Sequence, residues 1–267
     1  MTFVRLTTDK WRELHEPNKE VISVTSLIQY MGYGYASRAK MFQKGGEEEK
    51  KRNEYTKRCL DYGNVNEVFC LQYLEKYLSD RYHFFKGGEG ISQVCIGKDG
   101  HGLLGTVDCF LRDKASGALG VLEIKCPFGN KFGKFDQEQV EASLEEKLKT
   151  TNFRHWLQLQ LYLFMNEKYN AQFGIIVYYY PKFCSVDDAA YPVAYIIEVE
   201  NVSIEVGNRL EVEEYFQAFF KEDFTAPTFK KAPKKPLDLI RIVRIERLQG
   251  GVLTTMERTS LQDPMDL

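Results

Sequence analysis

The stretch from Leu103 to Pro127 constrains the fold more than any other part of the sequence. Two apolar, β-branched runs flank a middle section that contains Asp113, Ser116 and Gly117, residues that favour turns because they tolerate or locally stabilise bent backbone. The pattern therefore predicts a β-hairpin whose turn is centred near Ala115 and Ser116. The position of the turn also sets which side chains face each other across the two strands.

The predicted hairpin brings charged side chains of its two strands together. A turn at this position puts Asp108 almost directly opposite Glu123, where facing Cβ atoms lie about 5 Å apart. Because side chains alternate between the two faces of a strand, Glu123 and Lys125 share a face with Val121, and the intervening residues point the other way. We therefore expect two carboxylates and one ammonium group to converge.

A cluster of this kind has the chemistry of a site for a hard divalent cation. Mg²⁺ prefers oxygen ligands in octahedral geometry and binds through one or two carboxylates together with substrate phosphate. Beside such an ion, Lys125 would orient and deprotonate a water molecule, or offset negative charge as a phosphodiester is attacked. The simpler alternative is a solvated Glu-Lys ion pair on an amphipathic strand, and the tripeptide alone does not separate the two interpretations.

A helix is predicted before the hairpin. From Tyr55 to Tyr82, mostly apolar residues recur at alternating steps of four and three residues, beginning at Leu60. This spacing predicts a buried stripe along one face of a helix, and Glu67 falls in or beside this stripe. A buried carboxylate is costly unless it is paired or meets a cation. Gly63 lies one turn earlier and, lacking a side chain, allows another element to approach closely. In the alternative interpretation Val68 takes the place in the stripe and Glu67 lies just off it.

A second helix, predicted over Phe153 to Lys168, follows the hairpin. Gln158 and Tyr162 are four residues apart and therefore share a face, whereas Gln160 lies on another. A glutamine amide in an apolar helix needs a hydrogen-bond partner. The simplest partner is a neighbouring backbone group.

The order of the predicted elements indicates the fold class. Helices, three strands, two helices, two strands and a helix make a mixed α/β (α+β) core, with a central mixed sheet of about five strands flanked by helices. The last two strands are predicted at Phe173 to Tyr180 and Tyr191 to Val199. Residues 1–229 form this domain, and residues 230–267 form a basic, proline-containing linker and a C-terminal arm. In that arm, Leu237 to Arg247 predicts an edge strand or a contact with another subunit.

Composition narrows the class of protein. With 267 residues, 43% hydrophobic and 28% charged, the chain is expected to be globular with a substantial core. The net charge of -2 gives no global signature for nucleic acid, although a single groove can still be locally positive. The six cysteines have no paired spacing, which argues against a zinc or iron–sulfur site and for reduced thiols. No run approaches the ~20 apolar residues of a membrane helix, so an intracellular protein without a membrane partner is expected.

Taken together, these motifs resemble the PD-(D/E)XK nuclease superfamily and, within it, the lambda-exonuclease-like family of YqaJ-type viral recombinases. The family pattern is a helical Gly-x-x-x-Glu, an Asp, a Glu-x-Lys-Cys-Pro and a helix with Gln-x-Gln. This sequence has, in the same order, Gly63-x-x-x-Glu67, Asp108, Glu123-Ile124-Lys125-Cys126-Pro127 and Gln158-Leu159-Gln160. The resemblance covers residues 19–181 and implies a restriction-endonuclease-like core.

The resemblance also implies roles for individual residues. The metal ligands that it implies are Asp108, Glu123, the Ile124 carbonyl and Glu67 as an outer carboxylate. The ion would be Mg²⁺, with Mn²⁺ as a substitute. Lys125 would activate water, and Gln158 would orient Lys125 or the attacking water.

DNA contacts outside the cluster follow from the same resemblance. In the family a serine, preceded by an arginine, holds the DNA 5′-phosphate. Ser26, in a short helix predicted over Glu20 to Gly32, matches this serine, but Lys19 stands where the arginine would be. A lysine cannot grip a phosphate in bidentate fashion, which weakens the case for strict dependence on a 5′-phosphate. The other candidate DNA-binding residues are Arg38, Lys131 and Lys134.

The implied activity is a Mg²⁺-dependent deoxyribonuclease that digests double-stranded DNA from its ends, 5′ to 3′, in viral or mobile-element recombination or replication. One alternative is an endonuclease or RNA-degrading alkaline nuclease. An alternative of another class is a nucleic-acid-binding protein that has lost catalysis. The implied partners are double-stranded DNA or RNA, further copies of the chain in a homotrimer and a single-strand annealing protein, in the cytoplasm or nucleus.

Overall fold

A computed structural model describes residues 21–34, 38, 41, 54–85, 91–96, 101–127, 137–181, 192–222 and 231–256. These residues form a mixed α+β fold. Its strands are β1 (Val21–Ser23), β2 (Tyr82–Phe85), β3 (Ile91–Ile96), β4 (Gly102–Val107), β5 (Cys109–Asp113), β6 (Leu119–Lys125), β7 (Ala171–Tyr180), β8 (Val193–Glu200), β9 (Ile242–Gln249) and β10 (Val252–Thr255). The α-helices within the described ranges are α1 (Val24–Tyr30), α2 (Glu54–Leu78), α3 (Gln137–Lys149), α4 (Phe153–Met165), α5 (Ser203–Arg209) and α6 (Val212–Lys221).

The strands form two sheets. The larger has seven strands in the order β10-β9-β8-β7-β6-β5-β2, and the smaller has the order β1-β4-β3. In the larger sheet β6 and β7 are parallel and all other neighbours are antiparallel, so the predicted mixed sheet is confirmed. The predicted number of about five strands was wrong, because β2 closes one side of the sheet while β9 and β10 extend the other.

The hairpin of β5 and β6 has the predicted register. Cys109 pairs with Leu122 and Phe110 with Val121, which centres the turn between residues 115 and 116. The Asp113 carboxylate stabilises this turn by accepting hydrogen bonds from the backbone N–H groups two and three residues later. The predicted facing of positions 108 and 123 follows directly from this register.

The first run of the hairpin is two strands rather than one. β4 ends at Val107 in the smaller sheet, and β5 begins at Cys109 in the larger sheet. Asp108 is therefore the single residue at the junction of the two sheets. This break places its side chain at the end of the hairpin instead of within a continuous ladder.

Helices cover both faces of the larger sheet near β6. α4 packs on β6 and β7 on one face, where Val121 and Trp156 belong to the same buried cluster. α2 lies on the opposite face, where Leu122 and Ile124 pack with Leu74. The alternation predicted for β6 is thus confirmed.

The buried face of α2 is shifted from the predicted stripe. Its buried positions are Asn66, Cys70, Leu74 and Leu78. Leu60 is 43% exposed and Val68 is 57% exposed, so neither belongs to the core formed by the described residues. Glu67 lies half-buried at the border of the stripe. At Gly63 an added Cβ would meet no described atom within 4 Å, so the predicted close approach is not found there.

The C-terminal segment is part of the larger sheet. β9 pairs with β8 on one side and with β10 on the other, so it is an inner strand of this sheet and not an edge strand, while a contact of this segment with another subunit stays a prediction. Its inward-facing Ile245 and Leu248 are buried, which anchors the segment to the core. This inner position depends on pairing with β8, a strand that is distant from β9 in the sequence.

The N-terminal helix begins later than predicted. Val21–Ser23 pairs in parallel with β4, so the first residues of the expected helix form β1. Ser23 then caps α1 by accepting a hydrogen bond from the N–H of Ser26 at 3.1 Å.

The cysteines whose side chains the structure describes are free thiols: Cys59, Cys70, Cys109 and Cys126. None of the described helices combines the length and apolar character needed to span a lipid bilayer.

Candidate active site

The candidate site lies where β4 meets β5, beside the C-terminal end of β6. Asp108 occupies the junction, and Glu123 and Lys125 lie within the last three residues of β6. Glu67 approaches from α2 and hydrogen-bonds with Asp108, while Gln158 approaches from α4 and contacts Lys125. The structure thus brings together all five side chains that were predicted as catalytic.

The hairpin backbone and α2 both hold Asp108. Its Oδ2 accepts a hydrogen bond from the N–H of Ile124 at 2.6 Å. Its carboxyl group also shares a hydrogen bond with that of Glu67. Two carboxyl groups can share such a bond only when one of them keeps a proton. The role of the Ile124 carbonyl as a metal ligand stays a prediction.

Glu123 is the most deeply buried acid of the cluster, with 2% of its surface exposed. Its Oε1 accepts a hydrogen bond from Lys125 Nζ. Its Oε2 is buried and has no hydrogen-bond partner within the described part of the chain. Because an unsatisfied buried oxygen costs free energy, this atom favours a ligand that it can bind. A divalent cation with a preference for oxygen ligands fits this requirement.

A chain of hydrogen bonds fixes the position of Lys125. Its Nζ contacts Glu123 and donates to Gln158 Oε1 at 3.3 Å. Gln158 in turn donates through Nε2 to the hydroxyl of Tyr162 at 2.8 Å, which confirms that these two side chains share a face of α4. The lysine side chain is 24% exposed, so it lies at the border of the core.

Burial and mutual repulsion raise the proton affinities of the three acids. Burial, followed by the charge of Glu67, raises the pKa of Asp108 to about 7, and Lys125 opposes this only in part. Burial and the charge of Asp108 raise the pKa of Glu123 to about 8. Burial and the charge of Glu123 also raise the pKa of Glu67. The acids therefore tend to keep protons in the absence of a cation, and a bound cation would compensate their charge and favour release of those protons.

The same charges act on Lys125 in the opposite sense. Burial lowers the pKa of Lys125, but the carboxylates of Glu123 and Asp108 outweigh burial and raise this pKa overall. Within the described ranges, no group of three His, Cys, Asp or Glu side chains already stands at metal-binding spacing.

Two further polar residues border the site on α4. His155 Nδ1 lies 3.0 Å from the Tyr178 hydroxyl, and its Nε2 lies 3.2 Å from Arg154 Nη2. Burial, with the charges of Lys125 and Arg154, lowers the pKa of His155 to about 2, so its imidazole is neutral at ordinary pH. Sequence reasoning missed both residues, although Arg154 lies four residues before Gln158 and therefore on the same helical face.

Gln160 lies on another face of α4, as predicted, and its partners are backbone groups. It is fully buried, donates to the Glu200 carbonyl at 2.9 Å and accepts from the Val202 N–H at 3.0 Å. It therefore ties α4 to the end of β8 and the start of α5. The hydrogen bonds of Gln160, the second glutamine of the Gln-x-Gln motif, therefore stabilise the fold and do not involve the acid cluster.

Two of the five predicted DNA-binding residues, Ser26 and Arg38, lie within the described residues. The Ser26 hydroxyl accepts a hydrogen bond from Ser23 Oγ at 2.8 Å near the start of α1. Arg38 donates to the Met31 carbonyl at 2.6 Å, and its guanidinium lies 5.9 Å from the ring centroid of Tyr215. The other predicted DNA-binding residues lie outside the described residues: Lys19, Lys131 and Lys134. Contact with DNA stays a prediction for all five.

The cluster as a whole suits hydrolytic chemistry on a charged substrate. It combines a buried acid with an unsatisfied oxygen, a second acid fixed by the backbone and a lysine oriented by an amide. A scan against protein-family models found no match for this chain, and a search of curated proteins found none either. The side chains of the cluster are therefore the basis on which a function can be inferred.

Proposed function

We propose that the protein is a metal-dependent deoxyribonuclease of the PD-(D/E)XK type, similar to the lambda-exonuclease-like recombinases. The observation that carries the proposal is Glu123, whose buried Oε2 has no partner among the described residues while its Oε1 binds Lys125. A buried carboxylate in this state, next to a lysine and two more acids, suits a divalent cation and a reactive water. The order of the sequence motifs supports the same chemistry.

The acids would hold the metal. Asp108 and Glu123 are its ligands in this proposal, with the Ile124 carbonyl and Glu67 as further oxygen donors. Mg²⁺ fits these donors best, and Mn²⁺ would substitute because it accepts the same oxygen ligands. When bound, the ion supplies Lewis-acid stabilisation of the negative charge that develops on the phosphodiester.

Lys125 would position the attacking water and offset the charge of the substrate. Because its pKa is raised, the ammonium form prevails at neutral pH in the metal-free protein. An ammonium group donates hydrogen bonds and carries positive charge, which favours orientation and charge compensation over removal of a proton. Gln158, held by Tyr162, limits the rotation of the lysine side chain and so keeps its Nζ directed at the cluster.

The finer assignment is a 5′-to-3′ exonuclease on linear double-stranded DNA, active in recombination or replication of a viral or mobile genome. The family resemblance implies this assignment, and it implies in the same way a homotrimer and a single-strand annealing partner in the cytoplasm or nucleus. The intact acid and lysine cluster argues against a protein that binds nucleic acid without cleaving it. An endonuclease or an RNA-degrading enzyme would use the same cluster, and substrate topology separates these activities.

The test compares linear duplex DNA, closed-circular duplex DNA and RNA, each in Mg²⁺ or EDTA. We expect the wild type to degrade linear DNA in Mg²⁺ but not in EDTA, and Lys125→Ala to lower the rate by about 10²- to 10³-fold, as for loss of a group that stabilises charge in the transition state. Lys114→Ala is the matched control, because Lys114 is exposed in the turn at the other end of the same hairpin.

Three results would contradict parts of the proposal. Equal rates for the two lysine variants would refute the catalytic role of Lys125. If circular DNA is cut as fast as linear DNA, the activity is that of an endonuclease and not of an exonuclease. Release of label first from 3′ ends would reverse the proposed polarity.

A further inference from the structure

A cleft of about 620 Å³ opens beside the candidate active site, between α2 and the end of β7. Its lining includes four aromatic residues and one cation: Tyr62, Phe69, Tyr73, Tyr179 and Lys76. Most of these residues follow one another along α2 at steps of three, four or seven, so they form one helical face. This face adjoins the one that carries Glu67.

The aromatic lining combines a fixed platform with an exposed ring. The Tyr73 hydroxyl donates to the Pro192 carbonyl at 3.2 Å, and its ring centroid lies 6.0 Å from that of Tyr179, which is buried. Phe69 is 54% exposed, so part of its ring is open to contact with a ligand in the cleft. Rings held in place before a ligand arrives lose little freedom when it binds.

The cleft lies next to the elements that carry the acid cluster. Asn66, which directly precedes Glu67, lines the cleft and donates to the Tyr62 carbonyl at 2.8 Å. Tyr179 of the cleft belongs to the same buried cluster as Ile124, and Tyr73 and Cys126 pack against that cluster, so the cleft borders the residues on either side of Lys125. A polymer whose phosphodiester lies at the acid cluster would therefore pass the cleft with its neighbouring units.

We propose that this cleft binds unpaired bases of the nucleic-acid strand that is being cleaved, an inference that rests on the proposed nuclease function. Aromatic rings stack on any base, so such a cleft accepts single strands with little regard to sequence. Bases in a duplex already stack on each other, which leaves their faces unavailable. Lys76 adds a positive charge at the cleft that suits the phosphate backbone. The preferred substrate is therefore a DNA end with a single-stranded segment.

Binding is measured by fluorescence anisotropy in EDTA, so that no cleavage occurs. The probes are a labelled oligothymidylate of about 12 nucleotides, within the range of single-strand site sizes, and a blunt duplex of the same length. Phe69→Ala should weaken binding of the single strand by roughly 5- to 100-fold, the range for loss of one base–aromatic stack, and leave the duplex almost unchanged. Lys76→Gln should lower the slope of log affinity against log salt by about 0.7 for the single strand.

Val68→Ala is the matched control, because Val68 is 57% exposed on the same helix but does not line the cleft. This variant should bind both probes like the wild type. Single-strand affinity that is unchanged in both Phe69→Ala and Lys76→Gln would overturn the inference and leave the cleft to a protein partner. Equal losses on single strand and duplex would overturn it as well, since a base-stacking site discriminates between them.

Cleavage assays with the same variants test the nuclease function separately from the base-stacking cleft. If the wild type cleaves DNA in Mg²⁺ while Phe69→Ala cleaves and binds single-stranded ends normally, the stacking site fails and the nuclease function stands. If no DNA or RNA is cleaved but Phe69→Ala loses single-strand binding, the nuclease function fails and the binding site stands.

Discussion

Replacing Glu123 by glutamine should flatten the dependence of stability on pH in the metal-free protein. Burial and the charge of Asp108 raise the pKa of the Glu123 carboxyl from 4.5 to about 8. The folded chain therefore binds this proton more tightly than the unfolded chain does. The resulting stabilisation is fully present below pH 4.5 and is lost as the pH rises through about 8. A glutamine side chain does not titrate and removes this contribution.

The expected magnitude follows from the two pKa values. One pKa unit corresponds to about 1.4 kcal/mol, so Glu123 accounts for a loss of about 3 kcal/mol in unfolding free energy between pH 5 and pH 8. For a chain of this size that loss corresponds to a fall of roughly 6 to 12 °C in Tm. Asp108, with its pKa raised to about 7, contributes a further fall in both proteins.

Thermal unfolding in EDTA across this pH range measures the effect. The slope of Tm against pH is the readout, because Glu123→Gln also removes the charge partner of Lys125 and so changes the absolute stability. Mg²⁺ should raise the Tm of the wild type more at pH 8 than at pH 5, and should raise that of the variant less. Glu146→Gln, at an exposed position of α3, is the control that should keep the wild-type slope. Parallel curves for wild type and Glu123→Gln would refute the buried, titrating carboxyl.

Two further predictions concern α4. Gln160→Ala should lower the unfolding free energy by about 2 to 5 kcal/mol, because the Glu200 carbonyl and the Val202 N–H both lose a buried partner, while the activity per folded molecule stays at the wild-type level. Denaturant unfolding with an activity assay checks this, and an unchanged midpoint would contradict it. Tyr162→Phe should lower kcat about 2- to 10-fold with KM unchanged, since it frees the Gln158 amide that orients Lys125. Steady-state kinetics checks the split, and a change confined to KM would assign Tyr162 to substrate binding.

The hairpin was predictable because its signals are local. Asp113 and its neighbours mark the turn, and a turn centred between residues 115 and 116 leaves only one register for the strands. The facing of Asp108 and Glu123 follows from that register by counting. The side-chain alternation of β6 was equally accessible, since a strand has a fixed period of two residues.

Features that depend on distant partners were not accessible in the same way. The break at Asp108 lies between two apolar runs, and no local residue marks the change from one sheet to the other. The alternating residues of β9 predicted a strand, but its inner position depends on pairing with β8 and β10. On α2, the helical period placed Glu67 or Val68 in the buried stripe, but packing against the sheet buries Asn66 and Cys70 instead. The contact of His155 with Tyr178 beside the site depends on how α4 docks on β7, which no local signal shows.

The parallel pairing of β6 and β7 has a consequence for how the protein folds. Antiparallel neighbours such as β5 and β6 can join through a short turn, but parallel strands require a long crossover, which here contains α3 and α4. Closing that crossover costs chain entropy before its contacts form, so it belongs to the slow part of folding. Asp108 and Glu123 can meet early, within the hairpin, whereas the contact of Lys125 with Gln158 must wait for α4 to dock. A chain caught before this step has its acids in place and its lysine unoriented.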